Sequence, residues 1–236
     1  MNLTRPPCWK SRLVCKSVLA SATFLQAGCL SDAIAKEVQF RATNNATSLD
    51  FDLFDPWAMH WKLSFDAFAS DDTLSDHTLV LSSGDNFIPG PRYFASGALG
   101  DEEVPDALGA AGNGRADIVF VNRFGTAASA LGNHDLDSGT SAFAGLIASD
   151  GEAGGYPGAA FPYLSFNADF SGDSSLSGLV AEDGQPAGEV AGRVAGSATV
   201  EVGGETIGVV GATTPLLASI TSTGGIDMSP DDFAMD

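Results

Sequence analysis

The sequence predicts an α/β fold, a pair of mixed β-sheets flanked by helices, and three observations carry that expectation. Thr78-Leu79-Val80-Leu81 and Ala128-Ser129-Ala130-Leu131 are short apolar runs, each closed by a loop containing glycine, as strands covered on both faces are. Trp57, Trp61, Phe65 and Phe68 recur at helical spacing after Asp55-Pro56, where proline favours a helix start. The last third consists of short β-branched runs separated by glycine turns. Alternating layers of helix and sheet accommodate all three patterns.

Taken in order, Glu37 to Thr43 alternates apolar and polar residues and reads as a first strand. Trp57 to Ser70 reads as an amphipathic helix with an aromatic face. Thr78 to Leu81 is a buried strand, and Gly90 to Gly114 is rich in Gly, Ala and Pro, with Pro89 and Pro91 bounding a tight turn. Ala116 to Asn122 is continuously apolar after Asp117 and fits a strand or the end of a helix. Ala127 to Leu131 and Phe161 to Asn167 are further strands. Val190–Val194, Ala198–Val202 and Thr206–Val210 follow as short strands, with Val202-Gly203-Gly204-Glu205 signalling a hairpin.

A chain of 236 residues is long enough to bury a core without disulfides or a structural metal. Asp and Glu outnumber Lys and Arg by 30 to 11, for a net charge of −19. Such a field disfavours nucleic acid and anionic membranes and attracts cations. The three cysteines, Cys8, Cys15 and Cys29, all fall in a basic and then apolar leader that ends at Ala33-Ile34-Ala35. Residues 1–35 therefore read as a secretory signal peptide, which implies export to the periplasm or outside the cell. The apolar run is too short for a transmembrane span. Residues 36–77 form a poorly patterned first strand and helix region, and residues 78–236 the legible α/β part. Oligomeric state is left open.

Two loops concentrate the chemistry. Ser83-Gly84-Asp85-Asn86-Phe87 and Gly132-Asn133-His134-Asp135-Leu136-Asp137 lie about fifty residues apart, each at the end of an apolar run, where ligands bind in open α/β sheets. Asp85 is a candidate carboxylate bridging two divalent ions about 3.5–4 Å apart. Asn133 offers a neutral hard oxygen suited to Mn, Mg, Ca or Zn. His134 cannot easily face the same ion as its neighbour, and is better placed to protonate a leaving alkoxide or stabilise phosphoryl charge. Asp137, three residues on, can reach its second ring nitrogen and hold it cationic. The bland alternatives are turn capping by Asp85 and a surface or core role for His134.

These loops resemble the GD and GNH[DE] blocks of the calcineurin-like metallophosphoesterases, 5'-nucleotidase branch. Gly84-Asp85-Asn86-Phe87-Ile88-Pro89-Gly90-Pro91, Ala116-Asp117-Ile118, Phe161-Pro162-Tyr163-Leu164-Ser165 and Gly211-Ala212-Thr213-Thr214-Pro215 look like the same branch. The resemblance implies a four-layer α-β-β-α sandwich with mixed sheets. It also implies two divalent metal ions and hydrolysis of phosphate monoesters or nucleotides by metal-activated water. On it, Asp85 bridges the metals, Asn133 binds one, His134 pairs with Asp137 as the catalytic acid, and Asp135 supports the loop.

Two departures limit the resemblance. The family opens with a strand ending in D-x-H, a pattern absent here; Asp50 and Asp52 stand in about the right place without matching it, and His60 and His77 are the other histidines. The family's later metal-binding histidines would fall beyond Asp236, so the chain reads as an N-terminal portion truncated at its C-terminus. Asp85 and Asn133 are then few donors for two ions. A non-catalytic exported acidic domain, or an inactive fragment, is the competing expectation. Asn167 to Ser175 resembles a calcium loop but lacks its closing bidentate Glu, which favours ordinary turn chemistry.

Overall fold

The computed structural model describes residues 39–43, as backbone, and 78–228. All of them fall in one compact unit beginning at Val38. The expected leader, the Trp57–Ser70 helix, Asp50, Asp52, His60 and His77 lie outside the described residues.

The central sheet is five-stranded and parallel. Its strands are β1 (Gln39–Thr43), β2 (Thr78–Ser82), β3 (Ala128–Ala130), β4 (Tyr163–Leu164) and β7 (Val194–Ala195), neighbouring one another in that order. Chain segments with helices join β2 to β3 and β3 to β4. These are α1 (Pro91–Gly97) and α2 (Arg115–Arg123), then α3 (Thr140–Ile147). Parallel pairing places the loops after β2, β3 and β4 on one edge of the sheet.

A second sheet runs β6 (Gln185–Pro186), β8 (Ser197–Val202), β9 (Glu205–Val210), with β6 and β8 parallel and β8 and β9 antiparallel. Gly203 and Gly204, at φ 60° and 83°, make the two-residue turn between β8 and β9. Left-handed backbone at both turn positions suits a hairpin. β5 (Ala168–Asp169) pairs antiparallel with β10 (Asp227–Met228), and α4 (Leu217–Ile220) lies between β9 and β10.

Two apolar clusters show how the layers stack. Ile118 and Val121 of α2, Phe143, Leu146 and Ile147 of α3, and Tyr163 of β4 share the larger one, on the helix side of the parallel sheet. Ala128, Leu164, Ala195, Ala198 and Val209 share the smaller one, between the two sheets. Successive residues Tyr163 and Leu164 enter opposite clusters, as side chains on a strand must. Helix, sheet and sheet are thus the α-β-β part of the expected sandwich.

One local expectation is decided between its alternatives and two change. Ala116 to Asn122 is helix throughout: α2 buries Asp117, Ile118 and Val121 on one face, and the N–H groups of Asp117 and Ile118 donate to Gly114 O at 3.0 and 3.3 Å. An apolar run with β-branched residues does not distinguish helix from strand; the face it buries does. The strand expected over Val190–Val194 is confined to Val194–Ala195, because Arg193 N–H bonds back to Val190 O in a turn. The strand expected over Phe161–Asn167 shrinks to Tyr163–Leu164. Asp169 and Asp173 spend their oxygens on backbone N–H groups of Ser171, Ser175, Leu176 and Gly225, which is the turn chemistry expected there.

Candidate active site

Both candidate loops leave the same sheet edge and touch backbone to backbone. A Cβ on Gly84 would stand 2.5 Å from Gly132 N, and one on Gly132 would stand 2.2 Å from Asp85 Oδ1 and 2.4 Å from Asp85 N. No side chain fits at either position, which is the physical reason for glycine in both loops. Asp85 itself has φ 54° and is the single non-glycine residue at positive φ among the described residues. Aspartate tolerates that region better than most residues, yet such strain persists only where the surroundings enforce it.

Here Asp135 enforces it. Its side chain is fully buried; Oδ2 accepts the N–H groups of Asp85 and Gly132 at 3.0 and 2.9 Å, and Oδ1 accepts that of Asn86 at 3.0 Å. Asp85 Oδ1 in turn accepts the N–H of His134 at 2.9 Å. Each loop's carboxylate therefore satisfies amides of the other loop. Burial pushes the Asp135 carboxyl up to about 7; the N–H bonds from Gly132, Asn86 and Asp85 oppose this, while the charge of Asp85 adds to it.

Asn86 ties this pair of loops to the strands. Its Oδ1 accepts from Ser82 Oγ at 2.6 Å, and its Nδ2 donates to Ser129 Oγ and Tyr163 Oη, each at 2.8 Å. The network crosses the ends of β2, β3 and β4, and burial of its polar groups is offset bond by bond. A second network lies beside it: Thr213 Oγ1 donates to Leu131 O at 3.0 Å, and the Asn167 side chain exchanges two bonds with the Thr213 backbone. Thr213 sits in one of the stretches that resemble the family and Asn167 two residues after another, and their contact joins the loops after β4 and β9.

His134 Nδ1 lies 2.6 Å from Asp137 Oδ2, the reach expected of residues three apart on a helical turn, here the 3₁₀ turn His134–Leu136. Burial works against the imidazolium, but the hydrogen bond and charge of Asp137, with the charges of Asp85 and Asp135, outweigh it and raise His134 above its ordinary range. With Nδ1 engaged, Nε2 is the nitrogen left for other chemistry, on a side chain 39% exposed. Thr221, a residue without any signal in the sequence, approaches from the end of α4 and donates its hydroxyl to Asp137 Oδ1 at 3.1 Å.

Asn133 is the N-cap of that 3₁₀ turn and makes no side-chain capping bond. Asp85 and Asn133 are both half-buried oxygen donors, and their chemistry fits a hard divalent ion. Among the described residues, however, no group of three or more His, Cys, Asp or Glu side chains is placed to hold a metal. The fit is therefore one of donor type at two adjoining residues. A separate depression of about 320 Å³, lined by Phe166, Asp169, Glu182, Asp183 and Gly196 among others, includes none of Asp85, Asn133, His134 and Asp137. No helix among the described residues is long and apolar enough to cross a membrane.

No family model matches the chain, and no curated protein does. Among solved structures, the chain is similar to a 5'-nucleotidase precursor from Thermus thermophilus, with 30% sequence identity and a TM-score of 0.44, over 64% of this chain and 22% of that one. It is also similar to the NAD nucleotidase of Haemophilus influenzae, with 20% identity and a TM-score of 0.47, over 74% of this chain and 24% of that one. The chain thus spans less than a quarter of the length of each, and both of these neighbours are nucleotidases.

Proposed function

We propose that the two clasped loops are the centre of a 5'-nucleotidase-like metallophosphoesterase that hydrolyses phosphate monoesters, nucleotides among them, outside the cytoplasm. The observation that carries this reading is the meeting of four residues of the right types at one sheet edge. Asp85 and Asn133 adjoin through the Asp85 Oδ1 to His134 N–H bond, and His134 is paired with Asp137. Export rests on the leader-like sequence of residues 1–35.

In the reaction, a water oxygen attacks phosphorus, the bond from phosphorus to the ester oxygen breaks, and its electron pair stays on that oxygen. His134, held protonated by Asp137, gives the Nε2 proton to the departing oxygen; of the attacking water's two protons one stays on the phosphate product and the other passes through solvent to restore the imidazolium. Asp137 keeps the imidazole in one orientation and stabilises its charge. Divalent ions, where bound, supply acidification of water and neutralisation of phosphate charge; Asp85 and Asn133 are the residues that would hold them. Local positive charge of that kind also answers how an anionic substrate approaches a chain of net charge −19.

The test is hydrolysis of a nitrophenyl phosphate by the 236-residue chain with added Mn or Zn. Metal-dependent turnover abolished by Asp85→Asn is expected, and equal activity in that variant removes Asp85 from the mechanism. A second reading, a non-catalytic exported acidic domain, is favoured by the absence, among the described residues, of any group of three or more His, Cys, Asp or Glu side chains placed to hold a metal. Turnover by residues 36–236 alone would end it.

A further inference from the structure

The contact between Thr221 and Asp137 carries an inference that deepens the proposed function and rests on it. Asp137 is engaged at both oxygens: Oδ2 faces His134 Nδ1 at 2.6 Å, and Oδ1 accepts from Thr221 Oγ1 at 3.1 Å. A carboxylate bonded at one oxygen can turn about its last torsion and exchange its partner for water. Bonded at both, it presents a fixed edge to the imidazole.

Thr221 is itself held in place. It caps α4, its N–H donates to Leu217 O at 3.1 Å, and the Leu217 side chain is fully buried in the larger apolar cluster. Its hydroxyl is thus aimed from an element anchored in the core, 84 residues after Asp137 in the chain. Asp137 is 26% exposed and His134 39% exposed, so water competes for the carboxylate, and a second fixed donor matters more than it would in a sealed site.

We propose that Thr221 is a positioning residue: His134, Asp137 and Thr221 form a three-membered relay in which the threonine hydroxyl fixes the Asp137 carboxylate, and through it the direction of His134 Nε2. The same order of proton carrier, orienting carboxylate and carboxylate partner recurs wherever a base or acid is held by a third group. Thr221 touches neither substrate nor reacting atoms.

The experiment uses the full chain with ¹⁵N-labelled histidine, and reads the proton resonance of the His134 Nδ1–H, assigned by its loss in His134→Gln. Thr221→Val, nearly isosteric, should broaden or shift this resonance through exchange with water, and Thr221→Ser should retain it. Thr221→Ala makes the same comparison if valine disturbs folding. In turnover of nitrophenyl phosphate, Thr221→Val should lower kcat about tenfold with KM little changed, and Thr221→Ser should restore the rate. A resonance missing from the unsubstituted chain, or unchanged in Thr221→Val, overturns the relay. Absence of turnover in the unsubstituted chain would instead remove the hydrolase reading, leaving the resonance comparison to decide the role of Thr221.

Discussion

Asp135 and Asp85 hold each other's loops: Asp135 Oδ2 accepts the Asp85 N–H at 3.0 Å, while Asp85 Oδ1 accepts the N–H of His134, the residue before Asp135, at 2.9 Å. The exchange fixes Asp85 at φ 54° and brings it beside Asn133 and His134. Asp135→Ala leaves three amides without their acceptor and should cost about 3 kcal/mol. Asp135→Asn keeps one oxygen acceptor but turns an N–H₂ group toward amide donors, and should cost about 2 kcal/mol. Urea unfolding followed by circular dichroism checks both; a loss below about 0.5 kcal/mol for Asp135→Ala would contradict the clasp.

Gly132 is where the two loops approach most closely. Gly132→Ala places a methyl group against Asp85 N and Oδ1, so the Asp85 loop must move as backbone. Overpacking of this kind typically costs roughly 1–3 kcal/mol, and about 2 is expected here. Since Asp85 is displaced with the loop, phosphoester turnover should fall more steeply than stability. Paired melting and rate measurements on one preparation separate the two effects.

His134 supplies a pH dependence whose sign follows from its raised value. Between the ordinary imidazole value of about 6.5 and the raised value, the folded chain binds more protons than the unfolded chain. The contribution to stability is therefore fully present below about pH 6.5 and is lost as pH rises through the folded value. Solvent screening at this partly exposed pair keeps it small. Comparison of urea midpoints at about pH 5.5 and about pH 8.5 should show a smaller pH difference in Asp137→Asn than in the unsubstituted chain. NMR titration of His134 in that variant should show its value lowered.

Away from the site, Arg92 and Asp117 form an ion pair between α1 and α2, with the guanidinium carbon 5.1 Å from the Phe120 ring centre. Asp117 is buried. Removing one member leaves a poorly solvated charge, so Asp117→Ala should cost about 3 kcal/mol. The double change Arg92→Met with Asp117→Leu should cost less than Asp117→Ala alone, because no unpaired charge remains. A double change that is as damaging as the single one would show that shape, rather than charge, sets the cost.

Much of the frame was legible beforehand. The strands expected over Thr78–Leu81 and Ala127–Leu131 stand at Thr78–Ser82 and Ala128–Ala130, because continuous apolar runs beside glycine loops are covered on both faces. Gly203-Gly204 is a turn because glycine alone reaches left-handed backbone without strain. The three-residue interval between His134 and Asp137 already contained their meeting across one turn, and the resemblance anticipated Asp135 as a loop support. What stayed open or unseen were features that depend on surroundings. Ala116–Asn122 has the composition of strand and helix alike, and the sequence around Thr221 gives no sign of a contact with Asp137.

The sequence by itself determined element types, the donor chemistry of the two loops and the acidic field, because these follow from side-chain chemistry and from spacing along a few residues. Only the tertiary structure decided that Asp135 would clasp the Asp85 loop, that Asn86 would bridge three strand ends, and that Thr221 would complete the Asp137 carboxylate. Those contacts join residues 43 to 84 positions apart. They exist because parallel strand register and the anchoring of α4 in the core bring distant loops to one edge, information that no local periodicity contains.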